Sequence, residues 1–73
     1  QRIGNRDVVI LRELARAWAA KGDDARALPM IALAYRLQPL NADIMRLYAD
    51  LLERRGKDQA AADLRDKADQ IGR

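Results

Sequence analysis

Apolar residues recur every three to four positions in four runs, separated by short polar breaks. That spacing predicts four amphipathic helices. In the first run Val8, Leu11, Leu14, Ala15 and Trp18 form one stripe, and Val9, Ile10, Ala17 and Ala19 widen it. A helix apolar over much of its girth expects neighbours on two sides. Asp7 stands where a carboxylate can accept the free N–H groups of the first turn. Lys21-Gly22 supplies the stop, a cation at the negative helix end followed by glycine. The second run starts from a cap at Asp23 or Asp24 and reaches Leu37, with Ala27, Leu28, Ile31, Ala34, Tyr35 and Leu37 on its apolar side. Pro29 is at the limit of what an early turn tolerates, so a late start or a mild bend is expected. Pro39 then stops the helix.

Asn41 caps the third predicted helix, Ala42 to about Arg55, whose stripe is Ile44, Met45, Tyr48, Ala49 and Leu52. Gly56 ends it as Gly22 ended the first. Asp58 caps a fourth, running to about Ile71 on a narrow stripe of Ala60, Ala61, Leu64, Ala68 and Ile71. Its other faces carry Asp63, Arg65, Asp66, Lys67 and Asp69.

The second half repeats the first. A shift of 34 residues lays Ile10 on Ile44, Arg12 on Arg46, Ala15 on Ala49, Gly22 on Gly56, Asp24 on Asp58, Ala27 on Ala61 and Ala34 on Ala68. The similar pairs Asp7/Asn41, Leu11/Met45, Lys21/Arg55 and Leu37/Ile71 follow the same register. The expected units are therefore 7–40 and 41–73. Residues 1–6 read either as the tail of an earlier unit, since Arg2-Ile3-Gly4-Asn5 resembles Gln70-Ile71-Gly72-Arg73, or as a chance likeness.

This pattern resembles the tetratricopeptide repeat, a 34-residue helix–turn–helix unit. Leu11-x2-Leu14-Ala15-x2-Trp18 stands for the family's Trp-x2-Leu-Gly-x2-Tyr element, and Ala27-x3-Ile31 for its Ala-x3-Phe. Ala34 and Pro39 occupy the later small residue and the closing proline. In the second unit the same places hold Met45, Tyr48, Ala49, Leu52, Ala61, Arg65, Ala68 and Arg73. The resemblance implies an all-α architecture, two stacked hairpins forming part of an α-solenoid. Small residues at Ala15 and Ala27 let paired helices approach, and stacking buries what one hairpin leaves open. Leu28, Ile31 and Tyr35 become Ala62, Arg65 and Asp69 one unit on, a polar outer side such as a terminal cap shows.

Composition narrows the function. The chain of 73 residues has no Cys and no His. Ser and Thr are absent as well. The usual nucleophile–base pairs and imidazole or thiolate metal sites cannot be written, so no enzyme activity, no metal and no cofactor are expected. Net charge is +3 with both signs interspersed, too diffuse for a typical nucleic-acid footprint. No apolar run is long enough to span a membrane as a helix. Absence of Cys fits any compartment.

In the family, first helices line a concave groove that holds peptides. Carried over by position, that lining is Val9, Arg12, Arg16, Ala19 and Ala20, then Asp43, Arg46, Asp50, Glu53 and Arg54. The expected partner contacts are Arg12, Arg16, Arg46, Asp50 and Arg54, with three guanidiniums able to take an acidic peptide. The competing reading is an ordinary solvated face, partly self-neutralised by Asp50 and Glu53. Some family members clamp C-terminal carboxylates with Lys and Asn; here Arg12 and Arg16 replace that pair, which puts the clamp in doubt. The apolar edge Val8, Val9, Ile10 and Leu11 either meets an earlier repeat, pairs with a second copy to give a homo-oligomer, or is simply more core. RNA binding by related helical hairpins is disfavoured by the interspersed acids and the missing Ser and Thr.

Overall fold

The computed structural model describes residues 5–71. They form four helices in chain order, α1 (Asn5–Ala20), α2 (Asp24–Leu37), α3 (Ala42–Arg54) and α4 (Asp58–Ile71). No strand occurs among the described residues. Consecutive helices pack as antiparallel hairpins, α1 on α2 and α3 on α4, and α3 lies against α2. This is the two-hairpin stack the period predicts.

The hairpin turns are near copies. After α1, the Gly22 N–H donates to the Ala19 carbonyl at 3.0 Å and the Asp23 N–H to the Trp18 carbonyl at 2.9 Å. After α3, Gly56 donates to Glu53 at 3.0 Å and Lys57 to Leu52 at 2.9 Å. Both pairs of bonds close a Schellman motif, which needs a left-handed residue just past the helix. Gly22 and Gly56 have φ of +82° and +79°, and a Cβ at either would meet nothing within 4 Å. Backbone conformation, not space, therefore selects glycine at both turns.

The start signals are less uniform. Asp23 caps α2, its carboxylate accepting from the Arg26 N–H at 3.1 Å. Asn41 caps α3, accepting from Ile44 at 3.2 Å. Two expected caps lie within the first turn of their helices instead. α1 begins at Asn5, so Asp7 sits in its first turn, and Asp58 is the first residue of α4. Each still favours the positive end of the helix through its charge. Pro29 does not delay α2, which starts at Asp24. The carbonyl that loses its donor is that of Ala25, and both residues are exposed, so water can satisfy it. The expectation for residues 1–4 falls outside the described residues; Asn5 and Arg6 belong to α1.

Two clusters make the core. The first joins Val8 and Ala15 of α1, Ala27, Ile31 and Ala34 of α2, and Ile44 and Leu51 of α3. The second joins Met45 and Ala49 of α3 to Ala61, Leu64 and Ala68 of α4. Tyr35 and Tyr48 pack against both, their rings 5.6 Å apart. The alanines at the helix contacts are fully buried, which lets the backbones approach.

Val8 is 4% exposed and part of the core, as the stripe of the first helix predicts, which removes it from the expected open edge. Leu14, expected in the buried stripe, is 42% exposed. Leu51, outside the expected stripe of α3, is fully buried because α3 turns a second face toward the first hairpin. Ala60 and Ile71 are exposed, so the stripe of α4 is narrower than expected.

Candidate functional site

Arg12 and Arg16 are one turn apart on α1, about 6 Å along the axis; Arg12 flanks the buried Val8–Ala15 stripe and is half-buried. The two are differently held. The Arg12 guanidinium reaches only its neighbour Glu13, at 3.4 Å, and its Nε is buried without a hydrogen-bond partner. An unmatched buried donor costs free energy until something accepts from it. Arg16 is exposed and makes no ion pair among the described residues.

On α3 the predicted contacts are engaged within the fold. Arg46 leans toward Asp69 of α4, at 3.6 Å between exposed side chains. Such a pair is worth about 0–1 kcal/mol and yields readily to a competitor. Asp50 and Glu53 both accept from Arg65 of α4, at 2.7 and 3.1 Å. Glu53 first and Asp50 second push Arg65 above its already basic range. Arg54 has a tying role. It donates to the Asp24 carboxylate at 3.0 Å and to the Ala19 carbonyl at 3.3 Å, so it links α3 to the turn of the first hairpin. Its charge there also favours the negative end of α1.

Arg65 was not among the expected site residues. The signal was present: at the position of Ile31, an arginine is long enough to reach the acids of α3. Its effect is to mask Asp50 and Glu53, the groups that would have opposed Arg12 and Arg16.

A second surface lies on the other side of α1. Val9 and Ile10 of the expected self-association edge are exposed, Leu11 is half-buried and Val8 is lost to the core. An apolar groove of about 380 Å³ runs between Asp7, Ile10 and Leu11 of α1 and Leu33 and Leu37 of α2. A separate, smaller hollow of about 190 Å³ is lined by Leu14, Ala17, Trp18 and Lys21. The Trp18 ring carries Arg26 at 4.7 Å and Lys21 at 5.7 Å from its centroid.

No group of three or more potential metal-ligating side chains occurs among the described residues. No helix among them is long and apolar enough to cross a membrane.

Paired antiparallel helices, glycine turns in one register and alanines at every helix contact define a helical-hairpin repeat protein. The chain belongs to the tetratricopeptide repeat family, whose profile matches residues 1–70. Domains of this family generally mediate protein–protein interactions and typically act as scaffolds rather than catalysts. No match is found among curated proteins or solved structures.

Proposed function

We propose that this chain holds an acidic segment of a protein partner on the exposed side of α1 and α3, with Arg12 and Arg16 as the principal contacts and Arg46 as the third. The supporting observation is the unspent hydrogen-bonding capacity of Arg12. Its buried Nε lacks an acceptor, and its one ion pair is long. The side chain is nevertheless 24% exposed, and the outer edge of the guanidinium can take a partner carboxylate bidentately. Arg16, one turn on, is exposed and adds a cation with no ion pair among the described residues. Asp50 and Arg54 have a supporting part: Asp50 anchors Arg65, and Arg54 ties α3 to the turn of the first hairpin.

The test is calorimetric titration with an acidic peptide and its charge-reversed counterpart. Binding of the acidic peptide is expected to weaken about tenfold or more in Arg12→Glu/Arg16→Glu, and to weaken with salt. Equal binding of both peptides, or no change in the double variant, would overturn the reading.

A further inference from the structure

The open face of α1 can be judged against its own repeat. Under the 34-residue shift, Ile10, Leu14 and Ala17 correspond to Ile44, Tyr48 and Leu51. Those three are how α3 docks on the first hairpin. Ile44 and Leu51 are fully buried with Ala27, Ile31 and Ala34, and Tyr48 meets Tyr35. The corresponding face of α1 has the same apolar character and is left uncovered by the described residues: Ile10 is 49% and Leu14 42% exposed, beside Leu33 at 44%. The described residues offer no second α2-like surface to cover it. The face of α2 is already under α3, and on α4 its counterpart carries Ala62, Arg65 and Asp69.

What the face does match is itself. Asp7, Ile10, Leu14, Ala17 and Lys21 follow one another at intervals of three and four, the spacing of a helix–helix seam. The seam has a carboxylate at one end, an ammonium at the other and Leu14 midway. An antiparallel two-fold centred on Leu14 sets Asp7 of each copy against Lys21 of the other. It also sets Ile10 against Trp18 and Leu14 against Leu14. This self-complementarity is what an isologous interface requires. A parallel pairing would put like charges together at both ends.

We propose that two copies of this chain associate through the Ile10–Leu14–Ala17 face of α1, antiparallel about Leu14. This is independent of the acidic-segment reading, since Arg12 and Arg16 lie on another side of α1 and stay free in the pair.

Sedimentation equilibrium of the 73-residue chain, from low micromolar to submillimolar concentration, tests it. A monomer–dimer equilibrium is expected, with the emission of Trp18, the single tryptophan, shifting to the blue as dimer forms. Leu14→Glu, an exposed position that leaves the core intact, is expected to weaken association about tenfold or more by opposing two carboxylates on the axis. Asp7→Lys and Lys21→Asp should each weaken it alone, through like charges at both ends of the seam. Mixing the two variants should restore a dimer, because each end then pairs opposite charges. Circular dichroism confirms that each variant remains helical. A monomer throughout the range, a dimer indifferent to Leu14→Glu, or a mixture no tighter than its components would each overturn the proposal.

Discussion

The two hairpins share a plan and differ in what surrounds them. In the second, α3 is covered on one side by α4 and on the other by the first hairpin. In the first, α1 has α2 and an open apolar groove. The outer sides of the second helices differ the other way. Leu28, Ile31 and Tyr35 lie against the neighbouring hairpin, while Ala62 faces water, Arg65 the acids of α3 and Asp69 its Arg46. The same backbone unit is thus adapted to its neighbours by three residues on each face. The turns and the small-residue contacts, which hold each hairpin together, stay the same.

This contrast can be broken at its strongest point. Leu51→Ala empties a fully buried position between hairpins and is expected to cost about 2–5 kcal/mol. For a core of this size that is enough to unfold much of the population. The counterpart change, Ala17→Leu, adds bulk on an open face and is expected to move stability by about 0.5 kcal/mol or less. Chemical denaturation followed by circular dichroism measures both. Comparable losses would mean the two faces are not in different surroundings.

A smaller effect tests what the hairpins share. Gly22→Ala and Gly56→Ala should each cost about 1 kcal/mol, because the left-handed conformation disfavours a Cβ. Each lowers the melting temperature by about 4–8 °C. Unequal losses would show that the two turns bear different strain despite matching geometry.

The smallest effect uses a difference between them. Asp23 caps α2, whereas its counterpart before α4 is Lys57, a residue with no carboxylate or amide oxygen to offer. Lys57→Asp should stabilise the chain by about 0.5–1 kcal/mol, by adding a cap and a favourable charge at the helix start. Thermal melting reads it, and a fall in stability would sink the assignment of Lys57 to the cap position.

How much of this is legible in the sequence depends on how local the determinant is. Gly22 and Gly56 mark their turns because a positive φ is a demand on one residue. Ala15, Ala27 and Ala34 declare the helix contacts because their counterparts repeat in register. Leu14 and Leu51 show where periodicity runs out. Both are apolar at helical spacing, and only the presence or absence of a neighbouring hairpin decides which is covered. The site is harder still. Arg54 reaches Asp24 across 30 residues of chain and Arg65 reaches Asp50 across 15. Long side chains on different helices choose partners by three-dimensional proximity, which no period encodes. Arg12, Arg16 and Arg46 were readable as a set of cations, but not that Arg46 leans toward α4 while Arg12 keeps a donor unused.

Among the described residues, α3 alone contributes fully or nearly fully buried side chains to both clusters, Ile44 and Leu51 to one, Met45 and Ala49 to the other. In a linear array of units, stability is a sum of unit terms and nearest-neighbour couplings. Here the coupling runs through α3. A change in α1 or α4 is felt in one cluster, whereas the loss of α3 dissolves both at once. The thirteen residues of α3 are therefore what makes two marginal hairpins a single cooperative unit.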